Sequence, residues 1–395
     1  MGVTITDDVV IVAARRTPMG GFLGSLAPVA GPQLAATVIR ELLHSTALPA
    51  GEVSEVLLGC VLPAGVGQAP ARQAALGAGL SLATGATTLN KVCGSGMKAV
   101  MLAHDMIRAE TAQVVIAGGM ESMSRAPYLL DKARAGQRMG HGRLVDHMLT
   151  DGLEDAYTGG SMGSFAQQTA DEFGLSRRDM DAWALTSLER AKAAISSGAF
   201  VNEIVPVTVS ERRGEYLMET DEQPGNAKPE KIPTLRPAFT KDGTITAANS
   251  SSISDGAAAL MLMTRARAQA LQLPVLATIK AHSSHAQAPA EFTTAPIGAV
   301  NKLLQKLQWS VSDVDLFEIN EAFAMVTMLA ISEMGLDPAK VNVNGGACAL
   351  GHPIGCSGAR IVVTLIHALQ QRGLKRGIAT LCIGGGEATA IAVEV

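Results

Sequence analysis

The chain carries two imperfect copies of one pattern, and this constrains its fold more than any other feature. Val53-Ser-Glu-Val56 returns as Val311-Ser-Asp-Val314, and Ser95-Gly-Met-Lys-Ala-Val100 returns as Ser357-Gly-Ala-Arg-Ile-Val362. Gly118-Gly119 has its counterpart near Gly384-Gly385. The copies keep their order and lie about 260 residues apart, as a duplicated supersecondary unit would. A doubled chain builds two similar halves, and a site at their pseudo-twofold seam draws residues from both.

Each half alternates apolar runs with stretches of helical period, the signature of α/β architecture. In the first half, Val9–Ala14, Val56–Val61, Thr87–Val92 and Gln113–Gly118 read as strands; Gln33–His44, Ala69–Ala78 and Ser95–Arg108 read as helices. In the second, Val275–Ala281, Val314–Ile319, Ile378–Ile383 and Ala388–Val395 are strands; Val300–Leu307, Glu321–Met334 and Ser357–Gln371 are helices. The strands are rich in Val and Ile without alternation, which suits a sheet covered on both faces. Between them the texture turns to Met, Arg and Gly, with a helix at Arg178–Ser197 and a polar, proline-punctuated stretch at Glu211–Pro237. The expected organisation is therefore an N-terminal half from residues 1–119 and 244–271, a loop or cap domain at 120–243, and a C-terminal half at 272–395.

Hydrophobic residues make up 47% of the 395 and charged ones 17%, enough for a large core. The net charge of −4 gives no general attraction to nucleic acid or to an anionic membrane. No apolar run approaches the roughly 20 residues needed to span a bilayer. Five cysteines, an odd number, point to free thiols in a reducing compartment, and hence to the cytoplasm. The opening Met-Gly-Val-Thr-Ile-Thr formally matches a myristoylation pattern, with chance as the plainer explanation.

Four motifs carry the chemistry. His352 sits in Gly351-His-Pro-Ile-Gly355, where Pro353 biases it away from helical geometry. Cys93 stands where a strand gives way to a helix through Gly-Ser-Gly, and helix N-terminal amides there favour the thiolate. The alternative is a small buried hydrophobe. Cys382 ends an apolar strand and is followed by three glycines whose amides suit an oxyanion hole; alone it reads as a core residue. Asn320 ends a strand, able to hold a water or carbonyl oxygen, or to N-cap the helix that follows. Cys348 and Cys356 flank His352, but three ligands are too few for structural zinc, so they and Cys60 read as packing residues. Arg212, Arg213, Lys228, Lys231, Arg236 and Lys241 form the one basic group suited to a phosphorylated ligand, unless they are plain solvated charge.

Taken together, Asn-Lys-Val-Cys93-Gly-Ser-Gly-Met, Asn320-Glu-Ala-Phe-Ala324, Gly351-His-Pro-Ile-Gly-Cys-Ser-Gly-Ala-Arg360 and Cys382-Ile-Gly-Gly-Gly386 resemble the thiolase family across essentially the whole chain. Thr246–Ala259 and Phe292-Thr-Thr-Ala-Pro296 resemble its short-chain branch, the acetyl-CoA C-acetyltransferases. The resemblance implies βαβαβαββ halves in a five-layered αβαβα core with an inserted loop domain, and a homotetramer assembled as a dimer of dimers. It implies a ping-pong reaction joining two acetyl-CoA into acetoacetyl-CoA and coenzyme A. His352 would take the proton of Cys93, which becomes acylated, while Cys382 would remove an α-proton from the second thioester. Asn320 would hold a water at the enolate, and the amides of Cys93 and Gly384 would hold the oxyanion. Coenzyme A and acyl contacts carry over to Ser251, Lys231, Phe239, Phe323, Met162 and Ala322. No cofactor or metal is implied, coenzyme A being substrate and product.

Three positions depart from the family pattern. Ser161 stands where biosynthetic members usually have histidine, Leu188 where the mitochondrial branch has a potassium-binding tyrosine, and Glu387 where a neutral residue is common. The competing readings are a 3-ketoacyl-CoA thiolase of broader chain length, a decarboxylating ketosynthase, and a thiolase-like lipid-binding protein without catalysis. A ketosynthase lacks the second cysteine, and a binding module needs none of the four polar groups.

Overall fold

The computed structural model describes residues 7–212 and 214–395. The Met-Gly-Val-Thr-Ile-Thr opening and Arg213 lie outside the described residues. The first half contains β1 (Val9–Arg16), α1 (Gly31–Thr46), β2 (Glu55–Gly59), α2 (Pro70–Gly77), β3 (Gly85–Leu89), α3 (Ser95–Arg108) and β4 (Val114–Ser122). After a loop region holding α4 (Met162–Glu172) and α5 (Arg177–Ser196), the chain returns as β5 (Ser254–Thr264). The second half contains β6 (Ala277–Ala286), α6 (Ala295–Leu307), β7 (Leu316–Ile319), α7 (Ala324–Met334), α8 (Ile354–Arg372), β8 (Arg376–Ile383) and β9 (Glu387–Glu394).

The duplication is explicit in the strand order. The first half runs β3-β2-β4-β5-β1, with β2 parallel to β3 and β4, and β5 antiparallel to β4 and β1. The second runs β7-β8-β9-β6, with β7 parallel to β8, and β9 antiparallel to β8 and β6. A parallel bridge from Phe317 to Val341 takes the place of β3. The halves meet edge to edge where Val10 and Ile11 pair with Thr278 and Ala277.

Three apolar clusters divide the core into layers. One packs α1 and α2 on the outer face of the first half-sheet, and another packs α6 and α7 on the outer face of the second. The central cluster holds α3 and α8 between the half-sheets, giving the expected αβαβα order. Helix α8 is buried on every side from Ile354 to Leu369, as an inner-layer helix must be.

The repeated Ser-Gly pairs mark where α3 and α8 cross. A Cβ on Gly96 would lie 2.8 Å from the Ala359 nitrogen, and one on Gly358 would lie 2.5 Å from the Met97 nitrogen. Each glycine admits the other helix's backbone, which brings the two N-terminal ends together at the seam.

Beyond the core, Arg16 on β1 is fully buried and bonds Glu203 at 2.5 Å and Asp221 at 2.7 and 2.9 Å. This triad pins the loop region to the first half-sheet. Several elements begin or end differently from the sequence expectation, and two of these differences fall at the site. The strand expected at Thr87–Val92 stops at Leu89, and the helix expected from Glu321 starts at Ala324. In both cases a functional turn replaces regular structure.

Candidate active site

Cys93 follows a strained turn. Val92 has φ +45°, a left-handed conformation that β-branched residues avoid at a cost of about 1–3 kcal/mol. Side chains hold it there: the Val92 amide donates to Asn90 Oδ1 at 2.8 Å, and the Ser95 hydroxyl donates to the Val92 carbonyl at 2.7 Å while accepting from the Lys91 amide at 2.8 Å. The turn delivers Cys93 to the start of α3, half-buried, with the backbone N–H groups of Gly384 and of Cys93 itself directed at its sulfur.

The thiolate is nonetheless not favoured at rest, which corrects the sequence expectation. Burial pushes the Cys93 thiol up to about 11, and the two amides pull it down only partway. Cys93 packs against the apolar cluster of Val61, Leu62, Met123, Met148 and Ile354, and desolvation by such walls outweighs a helix end.

His352 is buried, with a tautomer set by its neighbours. The Ser357 hydroxyl donates to the Pro353 carbonyl at 2.9 Å, so it accepts from His352 Nδ1 at 2.6 Å. Nε2 is left with its lone pair, 3.5 Å from Asn320 Nδ2. Burial, reinforced by the Arg360 charge, lowers the imidazole to about 3, so it is neutral at pH 7. Its own amide is anchored by the Ser252 carbonyl at 3.1 Å.

Asn320 is fully buried and does not cap a helix; Phe323 occupies the position preceding α7. The Asn320 side-chain oxygen has no partner, so this buried acceptor is open to a water or substrate donor. The next residue, Glu321, was not anticipated. It accepts from Trp183 Nε1, Ser187 Oγ, Asn342 Nδ2 and the Cys348 amide at 2.7–3.1 Å, tying α5 and the short Ala347–Leu350 helix to the Asn320 turn. A glutamate between Asn320 and Ala322-Phe323, in an otherwise apolar run, was the available signal. Glu121 was also missed: fully buried, it accepts from the Val61, Leu62 and Gly355 amides at 2.9–3.2 Å and so braces the loop beyond His352.

Cys382 is the penultimate residue of β8 and is fully buried. Burial first, and then the neighbouring Cys93, raise its thiol well above the ordinary value. The Gly384 N–H, two residues beyond Cys382, reaches the Cys93 sulfur, so groups from opposite halves border one site. Cys382 shares an apolar cluster with Ala322, Phe323, Phe292 and Met162, and the rings of Phe323 and Phe239 meet edge-on at 6.0 Å. A cleft of about 320 Å³ opens beside this cluster, lined by Lys228, Lys231, Leu235, Ala248, Ser252 and Cys348 among others. Of the basic group, two lysines thus face the cleft, while Arg212, Arg236 and Lys241 are exposed and absent from its lining. Ser251 is also absent from that lining; its amide donates to the Ala322 carbonyl at 3.0 Å.

The chain as a whole has known relatives. The model of the thiolase N-terminal domain matches residues 9–266, and that of the C-terminal domain matches residues 273–395. The chain belongs to the thiolase family. It is 52% identical over 387 residues to an acetyl-CoA acetyltransferase of Pseudomonas aeruginosa, covering 98% of each chain. It is 51% identical over 389 residues to one of Chromobacterium violaceum, covering 98% and 99%. The crystal structure of the Bacillus anthracis acetyl-CoA acetyltransferase superposes with a TM-score of 0.96 at 42% identity, over 98% of both chains. The Acat5 thiolase from Ascaris suum, solved in complex with coenzyme A, superposes with a TM-score of 0.93 at 40% identity, over 98% and 99%.

In this thiolase each departure from the family pattern has a structural place. Ser161 N-caps α4, accepting from the Ser164 amide at 3.2 Å. Leu188 packs with Ala191, Phe200 and Leu350 and reaches the wall of the cleft. Glu387 turns to Lys91, two residues before Cys93, and forms an ion pair with it.

Proposed function

We propose that this chain is an acetyl-CoA C-acetyltransferase, converting two acetyl-CoA to acetoacetyl-CoA and coenzyme A through an acetyl group on Cys93. The observation that carries this reading is the meeting of Cys93 with Cys382 and the Gly384 amide at one locus, in a chain with full-length relatives named acetyl-CoA acetyltransferase.

A proton inventory fits the resting state of two thiols and a neutral imidazole. His352 Nε2 accepts the Cys93 proton as sulfur attacks the acetyl carbonyl, and the Cys93 and Gly384 amides take the oxyanion. The departing coenzyme A thiolate takes its proton from Cys382, leaving a Cys382 thiolate beside an imidazolium. That thiolate removes an α-proton from the second acetyl-CoA, while the imidazolium and a water on Asn320 stabilise the enolate oxygen. The carbanion attacks the acetyl carbonyl on Cys93, and the released Cys93 sulfur recovers the proton from His352. All three groups end neutral, and no buried charge stands alone at any step.

Lys231 in the cleft, together with Ser251, would contact coenzyme A; Met162, Ala322, Phe239 and Phe323 would bound a short acyl pocket. The reaction needs no cofactor. Our reading is a homotetramer in the cytoplasm; five free cysteines support the reducing compartment. No helix of the described residues is long and apolar enough to cross a membrane.

The deciding experiment measures thiolysis of 3-ketoacyl-CoA substrates of increasing chain length. The rate is expected to be highest with acetoacetyl-CoA; a maximum at medium chains would replace this reading with the broader 3-ketoacyl-CoA thiolase.

A further inference from the structure

Two short turns meet at the seam: residues 90–95, which carry Cys93, and residues 383–387, which carry the Gly384 amide. Lys91 lies in the first, and Glu387 closes the second as the register partner of Ile383 at the mouth of the β8–β9 hairpin. Among the described residues their ion pair is the only salt bridge, and the only bond between two side chains, that joins the two turns. The second turn needs such a tie. Gly385 and Gly386 adopt φ +91° and +86°, and three consecutive glycines give this backbone wide conformational freedom. Elsewhere the turns touch through Ile383 against Gly94 and through the Gly384 N–H at the Cys93 sulfur.

We propose that Lys91 and Glu387 form a positioning latch, which holds the Gly384 amide at the oxyanion of the Cys93 adduct and thereby sets the rate of acyl transfer. This rests on the acyltransferase reading above. The latch acts through geometry: the charged group that bears on Cys93 is Glu121 rather than Lys91. Because the two side chains are 22% and 37% exposed, the pair adds little to global stability, and its variants should fold. A displacement of about 1 Å at a reacting centre is sufficient to cost as much as 100-fold in rate.

The test is single-turnover acetylation of Cys93 by acetyl-CoA, followed by intact mass. Lys91→Met and Glu387→Gln should each slow it by roughly 10- to 100-fold, with the KM for acetyl-CoA and the melting temperature unchanged. The double variant should be no slower than either single one. Lys91→Arg should keep the rate, and the exchanged pair Lys91→Glu with Glu387→Lys should recover most of it. Wild-type rates in both single variants, additive losses in the double, or no recovery in the exchanged pair would each overturn the latch. Alkylation of Cys93 by iodoacetamide gives a second readout that needs no acyl transfer. A wild-type chain that accepts no acetyl group defeats the acyltransferase reading, whereas alkylation rates identical in wild type and both single variants defeat the latch itself.

Discussion

His352 Nδ1 lies 2.6 Å from Ser357 Oγ, one turn along the same loop-to-helix junction, and the serine proton is already committed to the Pro353 carbonyl. This fixes which ring nitrogen keeps its lone pair. Ser357→Ala frees the imidazole to take the other tautomer or rotate. We expect kcat to fall about 10- to 100-fold, a part of what a positioned general base contributes. The lost bonds should lower stability by only about 1–2 kcal/mol. Steady-state kinetics beside a urea titration separates the two effects; a kcat within twofold of wild type would remove Ser357 from the mechanism.

Cys93 and Cys382 have different tasks, so the same substitution should have different consequences. Cys93→Ser should abolish the acetyl-enzyme seen by intact mass. Cys382→Ser should still acquire the acetyl group from acetyl-CoA yet form no acetoacetyl-CoA. Acetylation of Cys93→Ser to the wild-type extent would show that the acyl carrier lies elsewhere.

With Cys93 raised to about 11 and His352 lowered to about 3, the thiol–imidazole pair holds one proton throughout the range between. The reactive thiolate then forms only by losing that proton, and its fraction rises about tenfold per pH unit. Iodoacetamide should therefore alkylate Cys93 at a rate that climbs steadily from pH 5 to pH 9 without levelling, whereas an isolated cysteine would begin to level off near 8.5. The same imidazole affects stability. Its folded value lies below the unfolded one, so the stability it contributes is full above about 6.5 and is lost as pH falls toward about 3. His352→Asn should accordingly lose less stability than wild type over that interval.

Arg16 neutralises two carboxylates in a dry interior, and Glu203 there also accepts from Thr364 Oγ1 at 3.1 Å. Arg16→Met would leave Glu203 and Asp221 buried without a counter-charge. We expect a loss of about 3–5 kcal/mol of unfolding free energy, the usual consequence of removing one member of a buried ion pair. Urea unfolding followed by circular dichroism measures it; a loss under 1 kcal/mol would mean that water replaces the guanidinium.

Much of this protein is local in origin and therefore present in the chain as written. Strand and helix identity follow from apolar period, and the repeated Ser-Gly pairs record the duplication, although only the structure shows that their glycines admit a helix crossing. Cys93, His352, Asn320 and Cys382 stand out because glycine, proline and strand ends surround them. What only the tertiary structure decided is energetic and collective. The protonation of Cys93 depends on apolar walls contributed by distant segments, and these reverse the effect expected of a helix N-terminus. Glu321, Glu121 and Ser357 acquire their roles from partners that sequence distance conceals, and the basic residues divide between cleft and solvent only once the loop region has folded. Desolvation and hydrogen-bond satisfaction are properties of an enclosed volume, and a linear chain encloses none until its two halves have met.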